Sequence, residues 1–134
     1  MVSTIQPVRL LIIDDDPHNL VFMEAALTER DLEIFVASDP LHGLELVSKC
    51  HPHIVVTDLM MPDVDGLAVL RRVKEIDPAI RVVIMTASPT AATFAEAVRC
   101  GATDYLAKPI PLAVLRQGLG DLIKCVHEQA MRSS

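Results

Sequence analysis

VRLLIIDDDP, Val8 to Pro17, decides the fold, because an uninterrupted apolar segment runs straight into three carboxylates and a proline. A strand with no polar alternation has to be covered on both faces, as in the middle of a parallel sheet. Asp16 and Pro17 then read as a helix start. The carboxylate caps free amides, and proline occupies the first turn, where its missing N–H costs nothing. Strand, acidic turn and helix together make the first half of a βα unit. The same alternation repeats along the chain, with strand-like segments at Val8 to Ile13, Glu33 to Ala37, Ile54 to Thr57, Arg81 to Thr86 and Asp104 to Leu106. Ile54-Val55-Val56 and Val82-Val83-Ile84 are again continuous apolar runs, which places the first, third and fourth segments at the centre of the sheet. Phe22, Met23, Ala26 and Leu27 read as the buried stripe of the first helix. Leu67, Leu70 and Val73 serve the third, and Leu112, Leu115, Leu119, Leu122 and Val126 the last. The prediction is an α/β chain with a doubly wound parallel sheet, right-handed crossovers and functional residues at the carboxyl ends of the strands.

The length of 134 residues fits one domain, 1–134, whose last helix is free to lead into an output domain. Hydrophobic residues make up 51% and charged residues 22%, enough to build a full core and too apolar for disorder. Apolar runs such as Leu10 to Ile13 fall far below the roughly 18 to 20 residues of a membrane span, and the N-terminus carries no signal-peptide pattern. Cys50, Cys100 and Cys125 are scattered and lack metal-ligand spacing, which points to reduced thiols and a cytoplasmic setting. The net charge of -6 opposes direct binding to nucleic acid, which needs clustered Lys and Arg to release counterions.

Asp14, Asp15 and Asp16 follow the first strand and Asp58 ends the third, so several carboxylates converge at one rim of the sheet. Two unit charges about 4 Å apart repel by on the order of 4 kcal/mol at an effective dielectric near 20, and a cation relieves this. Mg²⁺, or Mn²⁺ in its place, suits such oxygen ligands and leaves positions for water and phosphate oxygens. Thr86 ends the fourth strand, and Lys108-Pro109 follows the fifth, bringing a hydroxyl and an ammonium to the same rim. A carboxylate nucleophile, a metal, a hydroxyl and a lysine suffice for in-line phosphoryl transfer.

In this order LIIDDDP, TDLMMPDVDG, IMTAS and DYLAKPI resemble the four signatures of response-regulator receiver domains, over nearly the whole chain. The resemblance implies a flavodoxin-like (βα)5 fold with strand order 2-1-3-4-5. By the same resemblance Asp58 accepts the phosphoryl group, and Asp15, Asp14, Asp58 and the backbone carbonyl of Met60 surround the metal. Asp16 stands outside that set. Thr86 and Lys108 contact phosphoryl oxygens, the Lys108-Pro109 peptide is cis, and Thr86 with Tyr105 forms a switch. It further implies a phosphohistidine donor on a sensor histidine kinase or histidine phosphotransfer protein. Output would pass through the fourth helix, fifth strand and last helix to an output domain or a second copy of the chain.

Other residues read as structural. Asp63 and Asp65-Gly66 suit turns. His51 and His53, flanking Pro52, read as exposed loop residues, and Arg71, Arg72 and Lys74 as the solvated side of the third helix. Tyr105 also fits a half-buried strand aromatic with a wet hydroxyl. In the fourth helix two placements are open: Phe94 and Val98 packed inward, or an exposed face of alanines meeting an apolar partner. Three rival classes fit the residues less well. An aspartate-nucleophile phosphatase of the haloacid dehalogenase type needs a second Asp where Met60 stands. A flavodoxin-like FMN carrier needs a phosphate loop where the acidic triplet stands. A receiver serving only as an unphosphorylated interaction module does not need the complete set of Asp14, Asp15, Asp58, Thr86 and Lys108.

Overall fold

A computed structural model of the chain describes residues 6–28 and 31–133. The N-terminal stretch read above as lacking a signal-peptide pattern lies partly outside that range. Strands and helices alternate as β1 (Val8–Ile13), α1 (Pro17–Leu27), β2 (Leu32–Ala37), α2 (Pro40–Cys50), β3 (Ile54–Asp58), α3 (Gly66–Ile76), β4 (Arg81–Thr86), α4 (Ala91–Arg99), β5 (Asp104–Ala107) and α5 (Leu112–Ser133). All strand pairs are parallel and the sheet order is β2-β1-β3-β4-β5, the predicted topology. Among the described residues no helix is long and apolar enough to cross a membrane.

The period of two along each strand divides the core into two layers. Leu10, Ile12, Ile54, Val56, Val83 and Met85 face α1 and α5, where Leu20, Met23, Leu115 and Leu119 cover them. Leu11, Ile13, Val55, Val82 and Ile84 face the opposite side, against Val47 of α2, Leu67 and Leu70 of α3 and Ala97 of α4. This two-sided cover is why the central strands contain no polar alternation.

The helix starts follow from local chemistry. The Asp16 side chain accepts from the His18 amide with Pro17 in the first turn, and Asp39-Pro40 repeats the device at α2, where Asp39 accepts from His42. Asp65 caps α3 by accepting from Ala68. Gly66 is required by a close approach, since a Cβ there would lie 2.4 Å from the backbone oxygen of Asp58. The turn reading of Asp65-Gly66 therefore has a second consequence: α3 can start directly against the backbone of the third strand's end.

Four expectations change. In α1 the buried set is Leu20, Met23 and Leu27, spaced three and four residues apart, whereas Phe22 is 57% exposed and Ala26 only half-buried. Residues 20 to 27 are apolar on more than one face, and the sheet selected the face one residue away from Phe22. In α4 the buried residue is Ala97, while Phe94 and Val98 are 51% and 57% exposed. The small side chain goes inward because it lets this short helix lie close to the sheet, and Phe94 and Val98, one turn apart, share the outer side. Lys74 does not simply point to water: its Nζ donates to the carbonyls of Ile80 at 2.6 Å and Pro78 at 3.3 Å. His53 is half-buried, and its Nδ1 accepts from the Arg9 amide at 2.9 Å.

Candidate functional site

Strand parity brings the acidic groups together. Asp14 extends the row of Leu10 and Ile12, Asp58 the row of Ile54 and Val56, and Lys108 the row of Leu106, all on the side facing α1 and α5. The register pairs Ile13 with Thr57, so Asp14 and Asp58 stand side by side one step further on. Asp14 is fully buried and Asp58 is 6% exposed, whereas Asp15, of opposite parity, is open to solvent. One carboxylate oxygen from each of Asp14, Asp15 and Asp58 lies within 4.8 Å of the others, a spacing that fits a divalent cation held by oxygen ligands.

Lys108 already supplies a cation at this position. Its Nζ donates to Asp58 Oδ2 at 2.7 Å and to Asp14 Oδ2 at 3.2 Å. Burial lowers the affinity of the Lys108 amine for its proton. The hydrogen bond to Asp58 and the charges of Asp14 and Asp58 outweigh that effect, and the ammonium is held above the ordinary lysine range. Two buried carboxylates from neighbouring strand ends thus share one half-buried ammonium.

The remaining contacts orient these groups. Asp58 Oδ1 accepts from the Met60 amide at 3.2 Å, and the Met60 side chain is exposed. Asp14 Oδ1 accepts from the Asp16 amide at 2.9 Å. Asp14 Oδ2 also accepts from Asn19 Nδ2 at 2.5 Å, a contact that the sequence reading did not include. The signal lay in the helix start: capping at Asp16 puts residue 19 at the end of the first turn, on the side of the acidic loop. The Lys108-Pro109 peptide is cis, and the Lys108 amide donates to the Thr86 carbonyl at 2.8 Å, which ties the ends of β4 and β5 together.

Thr86 is fully buried, with its Oγ1 accepting from the Ser88 amide at 3.0 Å. Its parity is that of Val82 and Ile84, the opposite side from Lys108. Tyr105 pairs in register with Ile84 and packs on the same layer. The Tyr105 ring stands edge-on to Phe94, with centroids 5.4 Å apart, and its hydroxyl shares a hydrogen bond of 2.6 Å with Thr93 of α4. Tyr105 is therefore not part of the acidic cluster. It links β5 to the exposed face of α4, on the layer where Thr86 ends its strand. His51 and His53 lie at the opposite end of the sheet from the carboxylates.

Comparison with known proteins places the chain in a family. The chain is 34% identical over 118 residues to the transcriptional regulatory protein TrcR of Mycobacterium tuberculosis, covering 88% of this chain but 46% of TrcR, so it spans about half of that relative. It is 32% identical over 111 residues to sporulation initiation phosphotransferase F of Bacillus subtilis, covering 83% of this chain and 90% of that protein. Among solved structures it superimposes on a CheY-like response regulator receiver domain protein from Methanospirillum hungatei with a TM-score of 0.86, covering 93% of this chain and 99% of that one at 21% identity, a likeness of fold. Residues 10–119 match the family described as the response regulator receiver domain, and the chain belongs to that family of two-component signalling proteins.

Proposed function

We propose that this chain is a single receiver domain over residues 1–134 that takes a phosphoryl group onto Asp58 and relays its arrival through the face formed by α4, β5 and α5. The observation that carries the proposal is the convergence of Asp14, Asp58 and Lys108, in which one ammonium bridges two carboxylates at the ends of different strands. A phosphorylated imidazole on a sensor histidine kinase or a histidine phosphotransfer protein is the donor. An oxygen of Asp58 attacks phosphorus in line, the phosphorus–nitrogen bond of the donor breaks, and the imidazole leaves with the bonding electrons and takes up a proton. Mg²⁺, or Mn²⁺, held by Asp15, Asp58 and the Met60 carbonyl with Asp14 beside it, supplies charge neutralisation when bound. Lys108 moves from Asp14 onto a phosphoryl oxygen, and the Thr86 hydroxyl donates to another. Water later hydrolyses the acyl phosphate, so the only reactions the chain catalyses are its own phosphorylation and dephosphorylation, in a cytoplasmic setting.

Incubation with Mg²⁺ and acetyl phosphate is expected to add one phosphoryl group by intact-mass measurement. Asp58→Asn, which keeps the size and removes the nucleophile, is expected to abolish it. Equal labelling of the variant would overturn the assignment of Asp58.

The output reading gains support from α4, where Phe94 and Val98 are exposed beside Ala91, Ala92 and Ala95. Thr86 drawn toward the phosphoryl group would release space on the Tyr105 layer, and Tyr105 carries the change to α4 through Thr93 and Phe94. The face serves an output domain or a second copy of the chain, with no direct contact to nucleic acid. Sedimentation with and without beryllofluoride tests the second copy: the mimic is expected to produce a dimer that Ala92→Glu prevents, and a dimer indifferent to Ala92→Glu would place the interface elsewhere.

A further inference from the structure

We infer that Asn19 is a positioning residue that sets the ion preference of the acidic cluster by holding Asp14 out of direct coordination. The inference rests on the reading of Asp14, Asp15 and Asp58 as a divalent-cation site. Asp14 is fully buried and both of its oxygens are engaged: Oδ1 by the Asp16 amide, Oδ2 by Asn19 Nδ2 and Lys108 Nζ. The donors on Oδ2 differ in kind. Lys108 is a charge that opposes an incoming cation and has work at the phosphoryl group. Asn19 is neutral, so it stays compatible with a cation nearby and remains on Asp14 when Lys108 leaves.

Asn19 is also well anchored. Its amide donates to the Asp16 carbonyl at 3.1 Å, Asp16 caps the same turn through the His18 amide, and Pro17 sits in that first turn. An ionised carboxylate only accepts, so the Asn19 NH2 group has to face Asp14. With Oδ1 tied to the loop and Oδ2 tied to α1, Asp14 cannot turn freely toward the cluster centre. Its charge acts there at one remove, through the solvent molecules that accompany the ion.

This arrangement discriminates between ions. Mg²⁺ demands near-octahedral geometry and gives up water reluctantly, so a carboxylate that stays back suits it. Ca²⁺ accepts six to eight oxygens in flexible geometry and gains from one more direct carboxylate. Freeing Asp14 therefore favours Ca²⁺ over Mg²⁺.

Calorimetric titration of the metal-free chain with Mg²⁺ and with Ca²⁺ tests this through the ratio of the two dissociation constants. Asn19→Leu, similar in size and without a donor, is expected to move the ratio toward Ca²⁺ by roughly 10-fold, the scale on which outer partners of metal ligands act. Asn19→Ala carries the same expectation without added apolar bulk, and Asn19→Gln, which keeps the donor, is expected to restore most of the preference. General loosening of the loop would weaken both ions together. An unchanged ratio, or parallel weakening of both ions in Asn19→Leu and Asn19→Ala, would overturn the role of Asn19 while leaving the metal site intact. Failure of the unaltered chain to bind either ion would overturn the site reading itself, and this inference with it.

Discussion

Both ends of the sheet carry buried or half-buried cationic side chains, and the two ends use them in opposite ways. At the carboxyl end, Lys108 faces the carboxylates of Asp14 and Asp58, and its proton is held more tightly than usual. At the amino end, Arg9 of β1 donates through Nε to the Cys50 carbonyl at 2.9 Å and through Nη2 to the His51 carbonyl at 2.8 Å, and Arg81 of β4 donates to Gln129 at 2.9 Å. The neighbouring His53 holds its proton less tightly than usual, through burial first and then through the charges of Arg9, His127 and Arg81. One end thus stabilises added positive charge and the other rejects it. Backbone carbonyls are neutral acceptors already committed to fixing α2 and its loop, so Arg9 is a structural cation. Paired carboxylates that share one ammonium can exchange that partner when a new ligand arrives, which suits the phosphoryl chemistry proposed above.

Substituting the central cation of each end is the sharpest way to break this contrast. Lys108→Met is expected to slow phosphoryl uptake from acetyl phosphate by roughly 100-fold or more, the scale of losing one preorganised charge-stabilising donor. Its Mg²⁺ affinity is expected to hold or rise, since the ammonium lying between Asp14 and Asp58 is gone. Asp15→Ala loses uptake by another route, weakening Mg²⁺ by roughly 10-fold or more. Arg9→Met is expected to leave uptake within about twofold and to lower stability in urea by about 1–3 kcal/mol, because the carbonyls of Cys50 and His51 lose their donor. Loss of metal affinity in Lys108→Met as severe as in Asp15→Ala would show that the two residues share one role. A large loss of uptake in Arg9→Met would erase the difference between the two ends.

The smallest expected effect is in the pH dependence of stability. His53 has a folded-state affinity for protons below that of the unfolded chain, so below about pH 6.5 the unfolded state binds more protons and stability falls as the pH drops through the depressed value. His53→Asn, which keeps an acceptor for the Arg9 amide and cannot titrate, is expected to flatten the stability profile between about pH 6.5 and 5, measured by denaturant midpoints at each pH. An unaltered acid slope in the variant would assign that slope to other groups.

The chain's local patterns contained the architecture and most of the candidate site. Continuous apolar runs such as Ile54-Val55-Val56 can be satisfied only between two layers of helices; Asp14, Asp58 and Thr86 each follow or end such a run and Lys108 follows the shorter fifth strand, where a parallel sheet gathers its loops. The period of two even separates Asp14, Asp58 and Lys108 from Thr86 by face. Asn19 was legible only as a residue at the end of the first helical turn, because its partner depends on the angle at which α1 leaves the acidic loop. The same holds for the helix faces. Residues 20 to 27 and 91 to 98 offer apolar or small side chains on more than one side, so a period of 3.6 allows several stripes, and packing against the sheet selected Leu20 over Phe22 and Ala97 over Phe94 and Val98. Lys74 and Arg9 belong to the same class, since a long cationic side chain shows in sequence only its charge. Whether it meets water, a carbonyl or a carboxylate is decided by which loops tertiary packing brings within its reach.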